Sequence, residues 1–162
     1  MHLTVVALVE DAPGVLERIS SQFRRRSFNI VSVSAGRTAP GMSCITVVVD
    51  SDKRSVDRVI ASISKLINVL QVEELGDRSA VARDMVLVKV ASNSGGRAVL
   101  QRLVDKGMGR LVDAGARTAS AEITGTPDEL DAAIRELEGH GIIEMVRSGA
   151  IALAQGDETM KK

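Results

Sequence analysis

The order in which the hydrophobic periodicity changes along this chain limits its fold more than any other feature. Residues 3–9 (LTVVALV) form an apolar run of strand length, and Asp11-Ala12-Pro13-Gly14 leads from it into a segment with Val15, Leu16, Ile19 and Phe23 at helical spacing. Residues 28–36 alternate apolar and small polar side chains, Pro40-Gly41 marks a turn, and residues 44–49 form a second strand of the same hairpin. Asp50 to Asp52 then opens a second helical pattern in which Val56, Val59, Ile60, Ile63 and Ile67 share a face, and residues 69–75 read as a closing strand. After a polar stretch the same order returns. It runs through a strand at 85–91, a Ser94-Gly95-Gly96 turn, a helix at 97–106 with Val99, Leu100, Leu103 and Val104 inward, and strands at 110–113 and 117–124. A helix opened by Thr126-Pro127-Asp128 carries Leu130, Ala133, Ile134 and Leu137, and strands at 142–147 and 150–153 end the series.

A β-α-β-β-α-β order is the split βαβ pattern, so the expected fold class is α+β: two ferredoxin-like sandwiches, each with two helices on one face of an antiparallel sheet. The expected boundaries are residues 1–76, a linker at 77–84, a second domain at 85–156 and a frayed tail at 157–162. The other face of the first sheet would then need a partner.

Composition removes several functions. Lys plus Arg and Asp plus Glu both number 21, so no net charge draws the chain to nucleic acid or an anionic membrane. Phe23 and Phe28 are the only aromatic side chains, too few for the base-stacking sheet face with which the same strand order serves RNA recognition. No signal-peptide pattern and no apolar stretch of about 18 residues occurs, which predicts a cytoplasmic chain with no membrane partner. Cys44 lies in an apolar run and is expected to be a small buried thiol. His2 and His140 stand apart from any nucleophile or metal-ligand spacing, and Glu10-Asp11 and Glu73-Glu74 read as solvated edges or caps, so no catalytic or metal-binding residue is assigned.

One constellation remains. Pro13 pre-sets φ for a helical turn, Asp11 suits the N-cap region, and Gly14 lets a ligand approach the backbone. Unpaired N–H groups from Gly14 to Leu16, with the helix dipole, favour an anion. A free α-amino acid fits: its carboxylate on those N–H groups, its ammonium at Asp11, Asn29 or a strand carbonyl, and its side chain against Val15 and Ile30. The same residues also serve as a plain helix cap and strand start.

The segment VVALVEDAPGVLERISSQFRRRSFNI at 5–30 resembles the opening of the small regulatory subunit of acetolactate synthase (acetohydroxyacid synthase), which contains an ACT domain. The likeness continues through Leu66-Ile67-Asn68-Val69, Ala82-Arg83-Asp84, Leu87-Val88-Lys89-Val90, Leu111-Val112-Asp113, Thr124-Gly125 and Arg147-Ser148-Gly149. The resemblance implies a homodimer joined through its ACT sheets. Its effector site would take Asp11, Gly14, Val15 and Leu16 from one chain and Asn29 with Ile30 from the other. It further implies binding to a separate catalytic subunit that carries thiamine diphosphate, magnesium and FAD, activation of that subunit, and feedback inhibition by valine, isoleucine or leucine. This chain itself would be non-catalytic and free of cofactor. A stand-alone ACT sensor acting on another enzyme or regulator is the alternative. Val31-Ser32-Val33, Ser43-Cys44 and Gln155 depart from the family's usual residues, which bears on the effector and on the contact with the catalytic subunit.

Overall fold

A computed structural model describes residues 1–76, 80–92, 95–157 and 159–160. Asp77 to Ser79 of the expected linker, Ser94 of the expected turn, and residues 158, 161 and 162 of the expected tail lie outside them. The elements run β1 His2–Glu10, α1 Val15–Arg24, β2 Asn29–Ala39, β3 Met42–Asp50, α2 Lys53–Ile63, β4 Val69–Leu75 and β5 Ala80–Ala91. They continue with α3 Gly96–Asp105, β6 Gly109–Ala114, β7 Thr118–Gly125, α4 Pro127–Glu138, β8 Ile142–Arg147 and β9 Ile151–Ala154. The two antiparallel sheets and four helices are the α+β architecture the sequence predicts. No helix of the described residues is long and apolar enough to cross a membrane.

The first unit comprises residues 1–82 and 150–162. Its sheet has the order β2-β3-β1-β4, which leaves β2 at an edge. Alternation along β1 and β3 sends Leu3, Val5, Ala7, Val9, Ile45, Val47 and Val49 to one face, where they meet Val15, Ile19 and Phe23 of α1 and Val56, Val59 and Ile63 of α2. Phe23 and Phe28 touch edge to face, 5.8 Å between centroids. Asp52 caps α2 by accepting from the Ser55 N–H at 2.9 Å. Ile67 departs from expectation: α2 ends at Ile63, the Leu66 N–H returns to the Ile63 carbonyl, and Leu66 takes the inward place while Ile67 is 87% exposed.

The second unit comprises residues 83–149, with the path β6-β7-β5-β8. Val86, Val88, Val90, Ala119, Ala121 and Ile123 face Val99, Leu100 and Leu103 of α3 and Leu130, Ala133 and Leu137 of α4. Thr126 and Glu129 form a reciprocal capping box that opens α4.

Three boundaries move. The linker expected at 77–84 is strand from Ala80 on, because Ala82 and Asp84 continue the inward alternation of β5. The strand expected at 150–153 to finish the second domain is β9, which pairs with β5 and is grouped with the first unit. There Ala152 and Ala154, with Ala80 and Met160, pack on Val6, Leu75 and Cys44, on the sheet face opposite the helices. The chain's own C-terminal segment therefore covers part of the face expected to need a partner, and Met160 in the tail is packed rather than frayed. Cys44 is partly buried in that layer, and burial pushes its thiol up.

Candidate functional site

α1 opens on a left-handed glycine, as α3 does at Gly95. Its N-cap is Gly14, in the left-handed region at φ 80°, and no side chain caps the helix. The first N–H groups of a helix have no intrahelical acceptor, so this end offers donors and a positive dipole without a built-in anion. The Val15 N–H makes a long turn bond to the Ala12 carbonyl at 3.4 Å. Pro13 and Gly14 form the turn before the helix, so Pro13 stands outside the first helical turn where the sequence reading placed it.

A cation not foreseen from the sequence stands beside this turn. Arg18, one helical turn on, lies with Nη2 3.8 Å and Nε 3.9 Å from where a Cβ on Gly14 would sit. It is held there by a residue distant in sequence: Arg18 Nη1 donates to Asn68 Oδ1 at 2.8 Å, and Asn68 Nδ2 donates to Glu10 Oε2 at 2.7 Å. Glu10, exposed at the end of β1 as expected, is thus hydrogen-bonded to Asn68. Helical spacing from Gly14 could have suggested Arg18, but no local signal pointed to Asn68.

Asp11 does not cap α1. Its N–H donates to the Gly41 carbonyl at 2.9 Å, and its Oδ2 accepts from Arg37 Nε at 2.7 Å, an ion pair that reaches across to β2. These residues line an open groove of about 530 Å³ formed by Asp11, Arg37, Thr38, Ala39, Pro40 and Gly41. The groove therefore lies where the β2–β3 turn meets the strand-to-helix turn.

Val15 does not face the groove: it is 4% exposed in the helix–sheet core, whereas Leu16 is 43% exposed. Ile30 likewise packs on the core. Asn29 is exposed at the start of β2, opposite Asp50, which is itself opposite His2 at the start of β1. Gly14 follows the other end of β1, roughly 25 Å away at the rise of a nine-residue strand. Within one chain, Asp11, Gly14 and Leu16 stand together, and Asn29 and Ile30 do not join them.

Elsewhere polar groups are committed to structure. In the second unit Asp84, 5% exposed, accepts from Arg147 Nε, the Met85 N–H and the Ser148 hydroxyl, while Arg147 Nη1 also donates to Asp131 at 2.6 Å. Burial opposes the Arg147 charge, yet the hydrogen bonds to Asp84 and Asp131 raise its pKa above the ordinary value. Glu73-Glu74 are not solvated either: Glu74 pairs with Lys53 at 3.4 Å, and Glu73 Oε1 is buried without a hydrogen-bond partner. Among the described residues no group of three His, Cys, Asp or Glu could hold a metal ion.

Two sandwiches of this strand order, each with an uncapped left-handed glycine opening its first helix, define a protein of the ACT-like ferredoxin class. Residues 6–71 match the AHAS small subunit-like ACT domain, and residues 83–156 match the family described as the small subunit of acetolactate synthase. The chain belongs to the acetolactate synthase small-subunit family. It is 37% identical over 154 residues to the acetolactate synthase small subunit of Mycolicibacterium smegmatis, covering 94% of this chain and 91% of the relative. It is 35% identical over 159 residues to a probable acetolactate synthase small subunit of Archaeoglobus fulgidus, covering 98% and 99%. Among solved structures it is similar to the acetolactate synthase small subunit of Thermotoga maritima, with a TM-score of 0.85 and 28% identity over 98% of this chain and 99% of that one. The regulatory subunit of aspartate kinase from Thermus thermophilus shares the fold alone, with a TM-score of 0.50 and 14% identity over 86% and 91%.

Proposed function

We propose that this chain is the regulatory subunit of an acetolactate synthase and senses a branched-chain amino acid, valine or its relatives isoleucine and leucine, at an interface between two of its own copies. The observation that carries the reading is the uncapped Gly14 turn. It presents free helix donors and the Arg18 guanidinium beside a groove whose single acidic group is Asp11. An α-amino acid supplies the matching pair of charges, a carboxylate for the donors and an ammonium for Asp11.

The partner copy follows from strand order. β2 is an edge, and a two-fold antiparallel pairing of β2 with β2 of a second chain brings the Asn29 end of one strand to the Ala39 end of the other. The Ala39 end lies beside Asp11. Asn29 of the second chain then completes a site that a single chain leaves half built, with Leu16 offering aliphatic surface.

The enzyme that responds is a separate catalytic subunit, to which thiamine diphosphate, magnesium and FAD belong. Effector binding shifts the chain between packings that the catalytic subunit distinguishes, and by linkage that subunit alters effector affinity in return. The test is to add the purified chain to an acetolactate synthase catalytic subunit from the same cell and follow acetolactate formation. The reading expects a rise on adding the chain and its reversal by a branched-chain amino acid. No change in rate together with no co-purification of the two proteins contradicts it and favours a stand-alone sensor.

A further inference from the structure

We infer that Arg37 sets the amino-acid affinity of this groove by occupying Asp11, the one carboxylate among its lining residues, in place of the effector's ammonium. The inference rests on the reading of the groove as an amino-acid site and goes beyond it by assigning the cation the effector must displace.

The chemistry of the groove leaves an incoming ammonium little choice. Thr38, Ala39, Pro40 and Gly41 contribute no charge, and the adjacent Glu10 carboxylate already accepts from Asn68. Asp11 is the carboxylate that remains, and in the free chain its Oδ2 is held by Arg37 Nε at 2.7 Å. A guanidinium on a carboxylate is the same electrostatic pairing that an α-ammonium would make, so the two cations compete for one anion. Arg37 is built to yield. It sits near the end of an edge strand, its side chain is 84% exposed, and it binds through a single nitrogen rather than a bidentate fork. It can therefore swing into water without leaving a buried charge unpaired, whereas Asp11, 33% exposed, stays in the groove wall.

Competition of this kind has a signature that a purely structural role for Arg37 lacks. The gain on removing Arg37 depends on the ligand carrying an ammonium. Calorimetric titration of the wild type, Arg37→Gln and Arg37→Lys with valine and with 3-methylbutanoate, the same aliphatic carboxylate without the amine, reads it directly. Arg37→Gln is expected to bind valine about two- to fivefold more tightly, the scale set by one exposed ion pair. Arg37→Lys, which keeps the competing charge, is expected to bind valine like the wild type. 3-Methylbutanoate is expected to bind Arg37→Gln no more tightly than the wild type, since it has no use for Asp11. If the wild type binds valine and Arg37→Gln binds it equally or more weakly, the inference is overturned and the amino-acid site stands. A gain shared by 3-methylbutanoate overturns it too, by showing a steric rather than a charge effect. If neither the wild type nor the variant binds valine, isoleucine or leucine, the amino-acid reading falls and the inference with it.

Discussion

Gly14 concentrates the functional demands at the scale of single residues. Its φ of 80° is a left-handed conformation that most side chains enter at a cost, and the Arg18 guanidinium lies 3.8 Å from where its Cβ would sit. Gly14→Asp keeps a residue that tolerates this conformation but puts a carboxylate where the effector's own must sit. Valine affinity should fall at least about tenfold, the scale of one lost charge-assisted contact, with the melting temperature changing little. Calorimetry and a thermal melt on the same sample separate the two effects. Gly109 answers to packing alone: a Cβ there would overlap the Glu122 carbonyl oxygen of the neighbouring strand. Gly109→Ala is therefore expected to destabilise the chain by about 1–3 kcal/mol in denaturant titration without altering valine binding. Asp84 is the charged counterpart. Asp84→Ala removes the buried acceptor of Arg147 Nε and of the Met85 N–H, and a loss of about 1–3 kcal/mol is expected, limited because Asp131 still holds Arg147 and the Ser148 hydroxyl still accepts from Met85.

At the scale of elements, the helix starts are of two kinds. α2 and α4 are capped by Asp52 and by the Thr126–Glu129 box, whereas α1 and α3 open on the left-handed glycines Gly14 and Gly95 with no side-chain cap. The hydrogen bonds from Ser55 lower the Asp52 pKa, and those from Thr126 lower the Glu129 pKa. A carboxylate whose folded pKa lies below its unfolded value stabilises the fold above the unfolded pKa and loses that contribution as pH falls through the folded one. The caps should therefore hold at neutral pH and fade below about pH 4. Thermal melts from neutral to acid pH check this: Asp52→Asn and Glu129→Gln should lower stability at neutral pH and flatten the acid limb, and an unchanged profile would contradict it. These caps were legible in the sequence, as were the strand and helix periods, because each depends on residues within one turn or one pleat. Ile67 misled because the helical spacing continued on paper while the backbone turned at Ser64. β9 misled for a different reason: four residues of strand carry no mark of which sheet they will cover, and only Val6, Leu75 and Cys44 of the first unit decide it. In the candidate site the Gly14 turn was legible, being contiguous, but Arg37 on Asp11 and Asn68 on Arg18 join residues 26 and 50 positions apart.

For the whole molecule, the distance between Gly14 and Asn29 within one chain turns the function into a question of assembly. A site that needs both residues needs two chains, and an isologous pairing of β2 edges would build it twice. The proposed dimer should therefore persist without effector and be weakened by a charge or a proline on the free edge of β2. Sedimentation of Val33→Lys, compared with the wild type, is expected to show a shift toward monomer. The most direct measurement is valine titration of a mixture of Gly14→Asp and Asn29→Ala chains, each of which alone binds weakly at both of its sites. Exchange of subunits should create dimers in which one site has neither change, restoring wild-type affinity at roughly a quarter of the wild-type number of sites. If the mixture, after subunit exchange, binds no better than its two components, the site is not shared between chains and the account fails.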